Sequence, residues 1–502
     1  MKFFEGLWSS FELGYAETHY KFKLPWSLLY KKEPEIILDA PFQIIPGEPL
    51  KIYAIFRDAH LFPIYAKSLT ATLICQGKRE TISRDIGKTI DTPFTFLDFD
   101  LGNFPAGDYE IFAELNLNIR GKQKTIRRFN LKGLQKAPLR IKVLKEAPPK
   151  PEGYIAGETH AHTYFSADPV EFGASPKVLQ GTAKAVGLDF VFCTDHSYDF
   201  AFGKDDYMKR TDANARYQAL REEIAELPAT PKIIAGEEIS AGNSEGRNVH
   251  LLFPGNAFYV AGEGDCGRKW LDNKPTHSIT QILSQTDLPC FAAHPKEAMS
   301  RIERFIFRRG NWKHSDLCIN SANPIAGLEF WNGTRDADFE SGRNFWISEL
   351  ERENFILPLG GNDAHGDLNE YTGVKIPLFA LKRSRAHIFG NVRTVVYGND
   401  PIQAFRQNNL YITDGPALWW NKTGKSVCFT AKSSSDFGKI KKLKMYAQKK
   451  YEKKEAGLSA SFEKISPWEA RISIDLSSLN YARAEVETDS GHFALTSACP
   501  AI

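Results

Sequence analysis

An alternation of apolar strand patterns with helix patterns through residues 151–415 limits the fold of this chain more than any other feature. Short apolar runs, such as residues 189–194 (DFVFCT) and 356–359, predict buried strands. Between such runs, residues 175–186 and 207–227 follow a helical period. Strands that alternate with helices usually lie parallel and are covered by those helices. This part of the chain is therefore expected to form a (β/α) barrel.

Strand patterns without helices flank the expected barrel on both sides. Residues 109–119 alternate apolar and polar side chains, which predicts a half-buried strand. Similar short runs predict a sandwich-like N-terminal β domain over residues 1–150, and a Pro-rich stretch at 147–153 predicts the linker that follows it. Alternation returns near the end of the chain, which predicts a small C-terminal β region over residues 416–502.

The amino-acid composition limits which binding partners and which cellular compartment are expected. The formal net charge is only +3, from 64 Lys and Arg against 61 Asp and Glu, which disfavours nucleic acid or an anionic membrane as the partner. No apolar run reaches the ~18 residues of a membrane span, and the aromatic-rich start is interrupted by charged residues, so no secretory signal is expected. The seven cysteines form no CxxC pair, which fits reduced thiols in the cytoplasm. The oligomeric state stays open.

Histidine and acidic residues recur at the ends of the predicted strands. The candidate positions are His160, His162, Asp168, Asp195, His196, Glu237, Glu238, His250, His294, Asp363 and His365. The strand ends of a (β/α) barrel converge on one face, where catalytic residues gather. Two histidines at positions i and i+2 of a strand point to the same side, so His160 and His162 can bind one cation together. Imidazole with carboxylate and without thiolate suits Zn²⁺, Mn²⁺ or Fe²⁺.

The segments that carry these residues resemble the PHP (polymerase and histidinol phosphatase) superfamily. In chain order they read HAHTYFSAD, CTDH, GEEIS, NVHLL, AAHP and GGNDAH, and the resemblance covers roughly residues 153–395. The segments GLEFWNGT and NNLYITDGP also resemble the carbaryl-hydrolase-like branch of PHP metallohydrolases. The resemblance implies a distorted (β/α)7 barrel with two or three divalent metal ions.

The resemblance also implies a ligand set for each ion. One ion would be held by His160, His162, Glu238 and Asp363, a second would share Glu238 and add His250 and His294, and a third would use Asp168, His196 and His365. The family pattern G-x-E-[IL]-S selects Glu238 rather than Glu237. Asp195 is expected to orient His196, and it is counted as a candidate catalytic residue together with Arg301.

These residues predict a metal-dependent hydrolase in which the ions ionise a bridging water that attacks the substrate. A small-molecule phosphoester is the first expectation, because most of the superfamily hydrolyses phosphoesters. A carboxylester or carbamate stays open because of the branch resemblance, and a non-catalytic binding protein stabilised by its ions stays open as another class. If the segment is helical, Arg301 shares one helix face with Arg304, Arg308 and Arg309, and these side chains either bind an anionic group or form a solvated basic face.

Overall fold

The computed structural model describes residues 33–130, 137–166, 173–203, 209–266, 273–369, 375–376, 379–380, 387–458 and 462–501. Among these residues, no helix combines the length and the apolar character needed to cross a bilayer. The first two residues of the helix predicted from residue 207 lie outside the described residues. Asp168 also lies outside them.

The N-terminal region folds into two sheets around one apolar core. Its strands are β1 (Glu35–Asp39), β2 (Gln43–Ile44), β3 (Lys51–Arg57), β4 (Ile64–Cys75), β5 (Lys78–Ile90), β6 (Phe94–Asp100), β7 (Gly107–Ile119), β8 (Lys122–Arg127) and β9 (Leu139–Val143). One sheet has the order β1-β3-β6, and the other has the order β2-β9-β7-β4-β5 with β8 paired to β7. Burial alternates along β7, which confirms the half-buried strand predicted for residues 109–119.

Seven strands that lie side by side in chain order form the part of the central sheet that carries the predicted ligands. They are β10 (Tyr154–Ala161), β11 (Phe190–His196), β12 (Lys232–Gly242), β13 (Asn248–Pro254), β14 (Phe291–Ala293), β15 (Gly327–Asn332) and β16 (Leu357–Gly361). Neighbours are parallel except for β13, which is antiparallel to both β12 and β14. The curvature of the sheet brings the last residues of β10 close to the segment after β16. There the His162 amide donates to the Ala364 carbonyl at 2.9 Å.

The (β/α)7 barrel itself stays a prediction. In the described residues, β10 and β16 are linked next to their ends by an isolated parallel bridge, Ala161 to Ala364, rather than by a strand pair. In addition, β12 passes to β13 through a short connection without a helix. The sheet also continues beyond β10 into β19 (Arg393–Tyr397) and β20 (Leu410–Thr413).

The helices of the described residues are mostly short. They are α1 (Pro176–Val186), α2 (Ser197–Phe200), α3 (Ala213–Ala225), α4 (Ile279–Leu283), α5 (Arg301–Phe305), α6 (Ala337–Leu350) and α7 (Pro401–Ala404), with 3₁₀ turns at Tyr164–Ser166, His314–Leu317 and Phe405–Gln407. In α1 the Ser175 side chain accepts from the Val178 amide at the start, and Gly187 ends the helix with a φ of 80°. These are the expected start and stop signals.

One expected helix is shorter than its arginine spacing requires. Helix α5 ends at Phe305, and Arg308 has a φ of 52°, in the left-handed region. The condition of a continuous helix is therefore not met for the four arginines, and the anion-binding role of Arg301 stays a prediction.

The C-terminal strands divide between two sheets. They are β21 (Ala417–Thr423), β22 (Ser426–Lys432), β23 (Ile440–Lys449), β24 (Ala456–Leu458), β25 (Glu463–Ser466), β26 (Glu469–Asp475), β27 (Leu479–Thr488), β28 (Phe493–Thr496) and β29 (Cys499–Pro500), and a separate short pair is formed by β17 (Lys375–Ile376) and β18 (Phe379–Ala380). Four of them form the sheet β21-β22-β26-β25, whereas β28, β27, β23 and β24 extend the central sheet from β20. The boundary at residue 416 thus crosses a continuous sheet, and the domain limits stay predictions.

Candidate metal centre

The structure brings eight of the nine predicted ligands together at one end of the central sheet. Their donor atoms form three groups, and within each group the atoms lie within 4.8 Å of one another. The groups are His160, His162, Glu238 and Asp363; Glu238, His250 and His294; and His162, His196 and His365. The first two match the implied ligand sets. The third contains His162, and the implied Asp168 lies outside the described residues.

Strand direction explains why residues so far apart in sequence meet. The parallel strands β10, β11 and β16 end at the same edge, and they place His162, His196 and Asp363 at or just after their last residues. Strand β13 runs the other way, so its beginning lies at this edge, and His250 is its third residue. The antiparallel register sets His250 opposite Ser240, two residues after Glu238 on β12.

Two of the ligating residues have a backbone conformation that side chains other than glycine seldom adopt. The φ angle is 26° at His294 and 49° at Asp363, in or close to the left-handed region. Such conformations cost on the order of 1–3 kcal/mol each and cluster at functional sites. The strand before Asp363 is also tightly packed, because a Cβ on Gly361 would lie 2.7 Å from Glu329 Oε1 and 2.9 Å from His160 Cβ.

Glu238 is the carboxylate at the centre of the site. Its Oε1 atom lies 2.7 Å from His250 Nδ1, 3.1 Å from His294 Nε2 and 3.5 Å from His160 Nε2. Burial raises the pKa of Glu238, but the neighbouring imidazoles of His250, His160 and His196 outweigh burial and hold the pKa well below its usual value. The carboxylate is therefore ionised and available as a bridging ligand.

The His160 and His162 rings face Asp363 with their Nε2 atoms. Asp363 Oδ1 lies 3.0 Å from His162 Nε2 and 3.3 Å from His160 Nε2. Burial lowers the pKa of His160, but Glu329 and Asp363 outweigh burial and raise it well above the usual value. For His162, burial and the nearby His365 and His196 lower the pKa well below the usual value. His162 is thus neutral, which is the form of imidazole that binds a metal.

Three of the candidate ligands each contact a second carboxylate through the ring nitrogen that faces away from the other donors. The pairs are His160 Nδ1 with Glu329 Oε2 at 2.9 Å, His250 Nε2 with Asp265 Oδ2 at 2.8 Å, and His294 Nδ1 with Glu297 Oε2 at 3.1 Å. Such a carboxylate fixes the tautomer and the orientation of a metal-binding imidazole. In the neutral form of each ring, the opposite nitrogen would then face the site with its lone pair.

Sequence reasoning did not assign these three carboxylates. Glu329 carried a signal, because it is an ionisable residue in the middle of the apolar strand pattern GLEFWN. Glu297 carried a weaker one, three residues after His294 in AAHPKE. Asp265 lies in a connection between β13 and α4 and had no pattern to mark it.

Asp195 stabilises the segment that follows β10. It accepts hydrogen bonds from the Thr163 amide and hydroxyl at 2.8 Å each and from the Ser166 amide and hydroxyl at 3.1 and 2.7 Å. Because the Ser166 hydroxyl donates to Asp195, it can accept from His162 Nδ1, which lies 3.2 Å away. The Ser166 hydroxyl also accepts from the His196 amide at 3.0 Å, so Asp195 holds Ser166 beside both histidines, and the orientation of the His196 ring by Asp195 stays a prediction.

Two other sequence predictions have clear positions. Glu237 faces away from the cluster and accepts hydrogen bonds from the Val260 amide at 2.8 Å and from Asn256 Nδ2. Burial raises its pKa well above the usual value, so Glu237 suits a structural role beside the ligand Glu238. Arg301 begins α5 with an exposed side chain, and its catalytic assignment stays a prediction.

The donor set fits divalent metal ions. Eight buried or nearly buried imidazole and carboxylate groups converge, with no thiolate among the three groups. The Glu238 Oε2 atom is buried, and it lies 2.8 Å from His196 Nδ1 and 3.6 Å from His162 Nε2. A cation held between these groups would neutralise their buried carboxylates, and imidazole with carboxylate suits Zn²⁺, Mn²⁺ or Fe²⁺.

No family model matches the chain, and no curated protein matches it. Among solved structures, a cycloisomaltooligosaccharide glucanotransferase from Paenibacillus sp. complexed with cycloisomaltoheptaose aligns over 93% of this chain and 71% of its own, with 10% identity and a TM-score of 0.16. A glycosyl hydrolase family 2 member from Bacteroides cellulosilyticus aligns over 92% of this chain and 78% of its own, with 8% identity and a TM-score of 0.17. At such TM-scores neither fold nor activity carries over to this chain.

Proposed function

We propose that this chain is a metal-dependent hydrolase of the PHP superfamily that cleaves a small phosphoester with the help of two or three divalent ions. The observation that carries the proposal is the overlap of the donor groups, because the Glu238 carboxylate, which has two oxygens, belongs to two of them. Shared donors are the arrangement that holds metal ions close together. A single structural ion would need one closed set of four ligands.

Neighbouring divalent ions supply Lewis acidity and a water molecule that ionises near neutral pH. The residues of the chain provide the rest. Glu329, Asp265 and Glu297 hold the imidazoles in one orientation, and Asn332 Nδ2 lies 3.4 Å from Asp363 Oδ2. Asp363 and His365 are more exposed than His160 and His162, so a substrate approaches from the side of Asp363 and His365.

The decisive experiment combines metal analysis with a substrate panel. The purified chain is loaded with Mn²⁺ or Zn²⁺ and assayed on p-nitrophenyl phosphate, p-nitrophenyl acetate and an aryl carbamate. We expect turnover of the phosphoester, and its loss in His160→Ala and in Asp363→Ala. His277→Ala is the matched control, because His277 belongs to none of the three groups.

Each result has a distinct meaning for the proposal. Turnover of the ester or carbamate alone replaces the phosphoesterase by the carboxylester or carbamate hydrolase. Metal binding without turnover of any substrate overturns the hydrolase and favours a metal-stabilised binding protein. Full activity in His160→Ala or after exhaustive chelation contradicts the metal mechanism.

A further inference from the structure

Six side chains form a closed ring of polar contacts beside the central carboxylate. In order around the ring they are Glu238, His250, Asp265, Arg309, Glu297 and His294, and we call this set the Arg309 ring. Three of its members form one of the three donor groups, and the other three lie outside all of them.

The contacts on the two arms of the ring are short up to the arginine. On one arm, His250 connects Glu238 to Asp265 at 2.7 and 2.8 Å. On the other arm, His294 Nε2 lies 3.1 Å from Glu238 Oε1, and His294 Nδ1 lies 3.1 Å from Glu297 Oε2. Arg309 closes the ring, with Nη2 3.1 Å from Glu297 Oε2 and Nε 3.7 Å from Asp265 Oδ2.

The two imidazoles present opposite nitrogens to the shared carboxylate. His250 faces Glu238 with Nδ1, whereas His294 faces it with Nε2. To bind one cation with Glu238, the two rings must therefore take different neutral tautomers. Asp265 and Glu297 select these tautomers, because each carboxylate accepts the proton of the nitrogen on the far side of its ring.

Arg309 is the cation common to both of these carboxylates. Its side chain is 19% exposed and that of Asp265 is 5% exposed, so solvent screens this charge only in part. The backbone also fixes its position, because Asn248, at the start of β13, forms a parallel bridge with Arg309, and the Gly310 amide donates to the Asn248 carbonyl at 2.9 Å. Arg309 is thereby tied to the strand that carries His250, two residues further on.

We propose that Arg309 is a positioning residue that controls ion binding at the Glu238, His250 and His294 group by holding Asp265 and Glu297 against the two imidazoles. The inference rests on the proposed function to the extent that this group holds an ion. Without the guanidinium, two carboxylates lose their common counter-charge, and the tautomers of both rings are no longer fixed. Among the described residues, the imidazoles that Asp265 and Glu297 contact are those of His250 and His294, which belong to this group alone, so its ion is the one that we expect to be weakened.

The test is the number and the affinity of Mn²⁺ ions bound by the full chain, measured by electron paramagnetic resonance and calorimetry after removal of all metal. Arg309→Met removes the charge and keeps most of the volume, and Arg309→Lys restores the charge without the fork. Arg406→Met is the control, because the exposed Arg406 side chain donates to the Asp287 carbonyl at 2.8 Å and belongs to none of the three donor groups. We expect Arg309→Met to weaken one Mn²⁺ equivalent by about 10–100-fold and to leave the remaining equivalents unchanged.

Further variants separate positioning from a general loss of structure. Asp265→Asn and Glu297→Gln should weaken the same equivalent, and each combined with Arg309→Met should cost less than the sum of the single changes. Arg309→Lys should bind the affected Mn²⁺ equivalent more tightly than Arg309→Met and more weakly than the wild type. If Arg309→Met does not fold, the Mn²⁺ affinity of Arg309→Lys tests the inference instead. Equal weakening of every equivalent, or wild-type affinity in Arg309→Met and Arg309→Lys, overturns the inference.

The same samples keep this inference distinct from the proposed function. A wild-type chain that binds Mn²⁺ but hydrolyses no substrate overturns the hydrolase alone, and the effect of Arg309→Met on binding still decides the inference. A wild-type chain that hydrolyses phosphoesters while Arg309→Met binds every equivalent normally overturns the inference alone. A chain that binds no divalent ion overturns both.

Discussion

Glu238→Gln tests the role of the central carboxylate most directly. The change keeps the shape of the side chain and removes the negative charge shared by the groups around His160 and around His250. Treated as independent, each ion at 100 times its Kd stabilises the folded chain by about 2.7 kcal/mol, so three ions contribute about 8 kcal/mol. Loss of the two groups that contain Glu238 leaves about 2.7 kcal/mol, roughly a third of the wild-type effect.

The assay is the increase in unfolding free energy on addition of Mn²⁺ or Zn²⁺, from urea unfolding of each variant with and without the ion. Comparing the increment, rather than the absolute stability, removes any effect that the substitution has on the metal-free chain. Glu237→Gln is the matched control, since it makes the same chemical change one residue away in a side chain that faces Val260 and Asn256. We expect the control to keep the full increment.

One result would refute the reasoning outright. If the ion stabilises Glu238→Gln as much as the wild type, the carboxylate holds no ion, and the short contacts of Glu238 with His250 and His294 are hydrogen bonds of a metal-free core. A loss of the increment in Glu237→Gln of similar size would likewise contradict the assignment of Glu238 as the shared ligand.

Two further predictions concern packing and charge. Gly361→Ala should destabilise the chain by about 1–3 kcal/mol and weaken ion binding, because its Cβ would overlap Glu329 and His160; urea unfolding and Mn²⁺ titration measure both effects. Glu485→Gln should cost about 1–3 kcal/mol at pH 7, because Glu485 contacts the buried Arg483 at 2.6 Å and also contacts Arg343, while Glu455 remains as a partner of Arg483. Burial raises the pKa of Glu485, but these two arginines outweigh it and lower the pKa below 4.5, so the ionised form stabilises the fold above that pH, and the difference from wild type should shrink as pH falls below it.

These two predictions have separate controls. Gly424→Ala is matched to Gly361→Ala for the effect on ion binding, because no atom lies within 4 Å of a Cβ at Gly424; unchanged Mn²⁺ affinity in Gly361→Ala contradicts the packing argument. For Glu485→Gln, unfolding is followed from pH 7 to pH 4. A difference from wild type that grows on acidification has the wrong sign for an ion pair and refutes it.

The strands and the ligand positions could be predicted from the sequence to a large extent. Apolar runs such as the one at residues 189–194 mark buried strands, and the polar residues after that run mark the strand end at His196. Glu238 was selected by the family pattern, and β12 continues beyond it to Gly242. The antiparallel direction of β13 leaves no such mark. His250 was found only because its histidine stands in an apolar strand pattern, at the beginning of the strand rather than its end.

Contacts between distant segments were the part that sequence could not provide. Asp265 lies in an irregular segment, and Arg309 is remote from His250 along the chain. Their positions follow from how the connections fold over the strand ends. The end of α5 at Phe305 was likewise not predictable, because helical spacing of arginines does not show where tertiary contacts end a helix. Arg309 pairs its backbone with Asn248 instead.

The separation of the ligands along the chain has a consequence for biosynthesis. His162 and Asp363 lie 201 positions apart, although their side chains approach to 3.0 Å. At about 5–20 residues per second, a ribosome needs about 10–40 s to travel between the two codons. The group of Glu238, His250 and His294 is thus synthesised in full before Asp363, whereas the group of His160, His162, Glu238 and Asp363 has its full set of ligands only after translation has passed the codon for Asp363.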